Sequence, residues 1–361
     1  MNFNYAVFKV PCKPNARETV NLFLEDAFAN SKSILSVSVL PFTSIFLLAG
    51  CAEVSSTLTP QGQGAAEIAN LWWVMFWLAT GVFIVVMGLV LFALFHSRSG
   101  DNEESETSSR HDNLLIVSGG VATVIILIVV YFFTLRTINV LAAANPSDEF
   151  TIEVVGRQWW WEVHYPNQQV ITANEIHIPV GQTVALQVTS GDVIHSFWVP
   201  QLHGKIDMIP GQTNTFWLQA DQPGEYYGFC AEFCGIQHAK MAFVVIVEPL
   251  EEFRAWLEQQ NQPAVEPVDS LIREGQRVFL AANCDQCHTI LGTSARSTLG
   301  PDLTHFASRR TLAAGILPNT RQHLAEWITN PQQAKPGNLM PATTLAGSEL
   351  EALLAYIESL K

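Results

Sequence analysis

Two stretches of the chain are apolar without a break. Residues 71–95 (LWWVMFWLATGVFIVVMGLVLFALF) and 114–135 (LLIVSGGVATVIILIVVYFFTL) contain no charged side chain. Each is long enough to supply the ~20 residues that cross a bilayer as a helix. The pattern therefore predicts a transmembrane hairpin, with helices at 71–95 and 114–135. Trp72, Trp73 and Trp77 gather at one end of the first run, as an interfacial aromatic belt does. A shorter apolar run, 34–50, follows Lys9, Lys13, Arg17 and Lys32 and ends Leu48-Ala49-Gly50-Cys51. A basic region, a short apolar region and small residues before a cut describe an export signal covering residues 1–50.

The Leu-Ala-Gly-Cys ending resembles a bacterial lipoprotein box, in which Cys51 becomes the lipidated first residue of the mature chain. A plain signal peptide or a membrane anchor is the alternative. Residues 51–70 form an external N-terminal segment without Lys or Arg, whereas the polar loop 96–113 holds Arg98 and Arg110. Positive charge favours the cytoplasmic side. The loop is thus expected inside, and the bulk of the chain outside.

After Asn145-Pro146 the pattern changes to short alternating or apolar runs separated by Pro, Gly and Asn. Residues 150–155, 176–180, 183–189, 215–219, 225–229 and 242–248 read as strands of a β-sandwich spanning 150–250. Residues 251–267 read as an amphipathic stretch and a Pro-containing linker. Helices are expected at 269–282 and 347–360, framing a last domain at 268–361.

Composition agrees with this layout. Only 14% of the 361 residues are charged, against about 25% in an ordinary soluble domain. The net charge of −14 argues against nucleic acid as a partner. The acid surplus falls mostly on the sandwich and its membrane flank. Residues 262–361 are nearly neutral and carry eight Lys and Arg, which suggests electrostatic docking of the last domain on the sandwich.

The chemistry gathers at CAEFCGIQHAKM, residues 230–241. Cys230, Cys234, His238 and Met241 lie in one loop, and His195 stands upstream in DVIHSFWVP. Thiolates, imidazoles and a thioether form a soft ligand set suited to copper, zinc or iron–sulfur rather than magnesium or calcium. A second Cys in the loop lets two thiolates bridge two metal ions. A Cys230–Cys234 disulfide is the competing reading in an oxidising compartment.

The pattern H-x34-C-x-E-x-C-x3-H-x2-M, with both membrane helices and the β-domain, resembles subunit II of the haem–copper cytochrome c oxidases. The resemblance implies a cupredoxin-like fold and a binuclear CuA centre. It makes Cys230 and Cys234 the bridging ligands and His195 and His238 ligands of one copper each. Met241 and the backbone carbonyl of Glu232 become the axial ligands. It also implies that the Glu232 side chain binds magnesium at the contact with subunit I. Trp159, in GRQWWW, matches the tryptophan of electron entry, and Asp207, in KIDMIPG, matches a motif near the copper loop. One departure concerns protons. The family often carries a glutamate just before the second membrane helix, where this chain has Asn113-Leu114-Leu115. Glu106 and Asp112 are nearby but do not match.

Residues 284–288, CDQCH, fit the C-x-x-C-H haem attachment motif. Cys284 and Cys287 would bond the haem vinyl groups, and His288 would be the proximal ligand. Met340, in GNLMPA, is the expected second axial ligand, with His305 and His323 as competitors. A His/Met pair raises the haem potential. GPDLTH resembles the cytochrome c domains fused to oxidase subunit II, in which Pro301 helps hold the proximal His. The expectation is a multi-domain membrane protein: a two-helix transmembrane hairpin, a cupredoxin-like β-sandwich and an all-α class I cytochrome c domain. The resemblance implies a bacterial inner-membrane location with the copper and haem domains outside. It implies subunits I and III as partners and a cytochrome c or other periplasmic donor upstream. Electrons would enter at haem c, pass through CuA and reach oxygen in subunit I.

Overall fold

The computed structural model describes residues 55–96, 107–142 and 150–361. Cys51, Glu106 and the export signal lie outside the described residues. The chain falls into two units, Met1–Ser56 and Thr57–Lys361; everything below concerns the second.

Helix α1 (Gln63–Phe95) extends past its apolar run at the N-terminal end, and α2 (Thr107–Ala142) at both ends. Both are long and apolar enough to cross a membrane, with mean hydropathy 2.7. Helix α1 begins at Gln63 rather than 71 because its first turn is seated on the sandwich. Gln61 N–H donates to Gln201 O and Ala65 N–H to Leu202 O. Glycine makes this approach feasible: a Cβ at Gly62 would fall 2.2 Å from Gln219 O, and one at Gly64 2.4 Å from the His203 ring. The far end of α2 is held by Trp217, whose Nε1 donates to Leu141 O at 2.6 Å.

The sandwich has two five-stranded sheets. One sheet contains β1 (Thr151–Arg157), β2 (Trp160–Tyr165), β3 (Val170–Ala173), β5 (Val184–Ser190) and β8 (Asn214–Leu218), in the order β3-β2-β1-β5-β8. The other contains β4 (Glu175–Pro179), β6 (His195–Trp198), β7 (Ile206–Met208), β9 (Gly224–Cys230) and β10 (Ala242–Glu248), in the order β4-β10-β9-β6-β7. Strands β2, β3, β6 and β7 were not expected from the pattern. Strand β6 has no exposed position to reveal a period of two, and β7 is only three residues long. Trp161, Phe197 and Phe243 meet edge to face at the centre of the core. Helix α3 (Leu250–Gln260) closes the open end with Phe253 and Leu257, and Trp256 stacks on His177 at 3.8 Å.

The last domain is built on α4 (Ser270–Ala281) and α7 (Gly347–Ser359). Asp269 caps α4 through Leu271 N and Ile272 N. The two helices touch backbone to side chain at Gly275, where a Cβ would lie 2.0 Å from Ala352 O. Between them come a two-residue ladder, β11 (Thr311–Leu312) with β12 (Leu317–Pro318), and helices α5 (Arg321–Thr329) and α6 (Pro331–Ala334). The ladder is a small addition to the all-α expectation.

The last domain lies directly on the sandwich. The expected charge docking is minor: Arg310 and Glu225 approach to 3.5 Å at an exposed site, a geometry worth little. Buried hydrogen bonds carry the contact instead. Glu175 Oε1 accepts from Arg310 N–H at 2.6 Å and Thr311 N–H at 3.1 Å. The Arg309 guanidinium donates to Asp302 O and Thr172 Oγ1. Ala242 N–H on β10 donates to Ala314 O, presented by a turn in which Ala313, Ala314 and Gly315 all have positive φ. This contact covers Ala242, on the outer side of β10, with Gly315 packed against it.

Burial pushes the Glu175 carboxyl up to about 7, although Arg309 and two N–H donors oppose the shift. A raised carboxyl binds its proton more tightly in the folded chain than in the unfolded one. That stabilisation is complete at low pH and is lost as pH rises through about 7. Glu175→Gln should therefore flatten the pH dependence of thermal unfolding between about pH 5 and 8, an effect on the order of 3 kcal/mol. Equal slopes in variant and parent would contradict this.

Candidate metal centre and haem attachment site

The loop 230–241 joins two antiparallel neighbours, β9 and β10, and is closed at its base by Cys230 N–H donating to Met241 O at 3.0 Å. Strand β6 pairs with β9, and Phe197 lies opposite Cys230. That register sets His195, two residues earlier on β6, beside the sulfur. The Sγ atoms of Cys230 and Cys234 are 3.7 Å apart, and both residues are buried. A disulfide needs about 2.05 Å, so the pair is two free thiols. Two metal–sulfur bonds of roughly 2.3 Å span such a gap at a near-tetrahedral angle.

The remaining donors surround this pair. His195 Nδ1 is 3.8 Å from Cys230 Sγ, His238 Nδ1 is 3.9 Å from Cys234 Sγ, and Met241 Sδ is 3.9 Å from Cys234 Sγ. The Glu232 carbonyl oxygen lies 3.2 Å from Cys230 Sγ. The ligand atoms of His195, Cys230 and Cys234 all fall within 4.8 Å of one another. His195 is oriented by Asp192, whose Oδ1 accepts from Nε2–H at 2.8 Å, so that Nδ1 presents its lone pair to the sulfurs. Asp192 is not among the residues expected from the motif, although a carboxylate three residues before a ligating His is a usable sign. The Cys234 thiol donates to Cys230 and, with His195, pulls the Cys230 thiol down against burial, while the same contact pushes Cys234 up. A metal would bind the deprotonated sulfurs and release their protons.

Trp159 is half-buried beside this loop. Its Nε1 donates to Cys234 O at 2.9 Å, and Gln158 Nε2 donates to the same oxygen at 2.8 Å. Gly235, at φ 116°, allows this approach, since a Cβ there would meet the indole at 3.0 Å. Trp160 and Trp161 point elsewhere: Trp160 faces the Arg157 guanidinium, and Trp161 is buried in the core. The Glu232 and Asp207 carboxylates lie on an exposed face, 3.6 Å and 3.3 Å from Lys205 Nζ. Asp207 is not brought into the sulfur cluster.

In the last domain, Cys284 and Cys287 are free thiols on one tight turn, followed by His288. His288 Nδ1 donates to Pro301 O at 2.7 Å. That bond fixes the tautomer and leaves Nε2 as the lone-pair nitrogen, the form an iron ligand needs. Burial lowers the His288 pKa and favours the same neutral ring. Leu299 and Leu339 are 75% and 80% exposed next to Gly300 and Met340, an apolar surface suited to a porphyrin edge. Met340 is half-buried against the domain core. His305 is spent: Nδ1 faces Lys361 O at 2.7 Å and Nε2 faces Gln262 O at 3.0 Å. His323 is engaged at the start of α5 with Thr320. Cys284, Cys287 and His288 therefore fit a haem attachment site, and His305 and His323 are engaged elsewhere.

Comparison with known proteins bears on the two domains that carry these residues. Residues 168–248 match the family model described as cytochrome C oxidase subunit II, periplasmic domain, and residues 272–361 match cytochrome c. The chain is 43% identical over 211 residues to cytochrome c oxidase subunit 2 of Alkalihalophilus pseudofirmus, covering 58% of this chain and 61% of that one. It is 30% identical over 355 residues to cytochrome c oxidase subunit 2 of Bacillus subtilis, covering 91% of this chain and 97% of that one. Among solved structures, the periplasmic domain of subunit II of cytochrome oxidase from Bradyrhizobium japonicum aligns at 35% identity. It covers 32% of this chain and 95% of that chain, with a TM-score of 0.31. The chain belongs to the cytochrome c oxidase subunit II family and carries a cytochrome c domain at its C-terminal side.

Gly300 supports the His288 orientation directly, since a Cβ there would lie 2.9 Å from His288 Cε1. Gly300→Ala should displace the imidazole and cost about 1–3 kcal/mol of stability. The expected readout is a lower melting temperature together with a weakened low-spin haem spectrum. An unchanged spectrum would show that the ring does not depend on this gap.

Proposed function

We propose that the chain is the electron-entry subunit of a respiratory cytochrome c oxidase. It takes electrons at a covalently attached haem c and delivers them through a two-copper CuA centre to subunit I, where oxygen becomes water and protons are moved. The observation that carries this reading is the pair of free sulfurs 3.7 Å apart, flanked by two imidazoles and a thioether. When bound, the copper pair and the haem iron supply reversible one-electron chemistry.

The chain's own residues hold and insulate these groups. Cys230 and Cys234 would hold the metal pair through their sulfurs, and His195 and His238 would each supply one nitrogen. Met241 and the Glu232 carbonyl would supply the remaining donors. His195, Cys234 and Met241 are at most 3% exposed, so water is kept from these three donors, while His238 is partly exposed. Dry, rigid ligands reorganise little when the charge changes. Cys284 and Cys287 would anchor the haem, Pro301 O orients His288 toward it, and Met340 would supply the second iron ligand. Trp159, bonded to the Cys234 carbonyl, is the electron-transfer side chain nearest the sulfurs. The exposed Glu232 carboxylate is the candidate magnesium ligand toward subunit I.

The partners implied are subunits I and III, an external cytochrome c or equivalent donor, and the membrane, with no role for nucleic acid. The location implied is the bacterial inner membrane, with both sites on the periplasmic or extracellular side and Cys51 as a lipid anchor. The purified chain should contain two coppers per haem and show a mixed-valence two-copper EPR signal. Cys234→Ser should remove that signal while leaving the haem spectrum intact. One copper per haem in the parent would sink the reading.

A further inference from the structure

The loop between α6 and Met340 carries contacts that neither site explains. Lys335, on the haem domain, is only 2% exposed. Its Nζ donates to Trp159 O at 2.8 Å and lies 3.4 Å from Ala313 O. The flanking residues are also taken up by the sandwich. Lys240 Nζ donates to Ala334 O at 2.6 Å, and Gln237 Nε2 donates to Pro336 O. Ile236 lies against Gly337, where a Cβ would fall 2.0 Å from its Cδ1. Four consecutive residues, 334–337, thus meet Trp159 and the stretch 236–240 of the sulfur loop. Gln237 and Lys240 adjoin His238 and Met241. Gly337 stands three residues before Met340.

A buried lysine with no carboxylate partner is costly, and burial with the nearby Lys240 pulls its pKa down to about 7. Packing alone would favour an apolar side chain here. The directed hydrogen bond is what an apolar residue cannot supply. From this geometry we propose that residues 334–337, with Lys335 as the positioning residue, form the docking element that seats the Met340 loop on Trp159 and the sulfur loop. The inference rests on the functional reading above, because it supposes that the two loops carry the two redox centres. The element touches no reacting atom itself; it fixes the distance between the two sites.

The test uses the full chain. Amine-reactive acetylation followed by mass spectrometry should leave Lys335 unmodified in the native protein, while Lys205, whose side chain is 50% exposed, reacts. Equal labelling of both lysines in the parent would overturn the proposal whatever any variant does. Lys335→Met keeps the bulk and removes the donor. It should raise amide hydrogen exchange at residues 158–161 and 235–241. It should also slow internal electron transfer after flash reduction of the haem by roughly tenfold or more, the scale of a lost buried hydrogen bond. Gly337→Ala attacks the same seat from the Ile236 side and should act in the same direction. Normal copper and haem spectra with unchanged exchange and transfer rates in both variants would refute the docking element. Missing copper or haem signals in the parent would instead refute the functional reading.

Discussion

The architecture depends on one backbone hydrogen bond and the pairing that supports it. Cys230 N–H donates to Met241 O and pins the two ends of the sulfur loop at the β9–β10 ladder. Without that pin, five soft donors would have no reason to converge, because the intervening residues form only a short turn around His238. With it, the loop inherits the rigidity of a strand pair buried in the sandwich core. The upstream histidine is brought in by the neighbouring ladder, since β6 pairs with β9. Asp192 then sets the ring's tautomer. Chain closure, ladder register and one carboxylate together replace what a flexible peptide could achieve only at a large entropic cost.

Much of this was legible in the sequence, and the parts that were not have physical causes. The metal donors are spaced by a loop whose length is fixed by local chemistry, so the motif carries its own geometry. The attachment motif at 284–288 is local in the same way. The apolar runs gave the membrane helices but not their true ends. Helix α1 continues to Gln63 because of contacts with the sandwich, and residues far apart in sequence cannot announce such contacts. Strand β6 was hidden because the strand of HSFW carries no polar alternation. Lys335 reads from sequence as a surface lysine in a polar loop. Only the folded domain shows that it is enclosed by Trp159 and Ala313. The expected electrostatic docking is met only in part, by Arg310 facing Glu225 at 3.5 Å and by Arg309 near the Glu175 carboxyl. Counting charges ignores whether they meet, and here the charged groups at the contact mostly bond to backbone atoms.

The contact between the last domain and the sandwich is unusual in its use of buried ionisable groups. Arg309, Glu175 and Lys335 are each under 10% exposed. Glu175 and Lys335 bond to backbone N–H groups and carbonyls, and Arg309 to one carbonyl and the Thr172 hydroxyl, with its Nε left unpaired. Such contacts demand alignment, because an N–H or carbonyl misplaced by an ångström leaves a charge unpaired in a dry setting. They contribute specificity more than strength. An interface of this kind selects a single arrangement, which suits two sites that must lie at a fixed separation.

Helix α3 packs into the sandwich as far as Gln260, and α4 begins at Ser270. Only nine residues of connecting chain therefore separate the two folded bodies, a leash of at most about 30 Å when fully stretched. A domain on so short a leash cannot diffuse away when its hydrogen bonds break. Its local concentration at the sandwich stays high, so the contact re-forms as an intramolecular event rather than by a fresh bimolecular encounter.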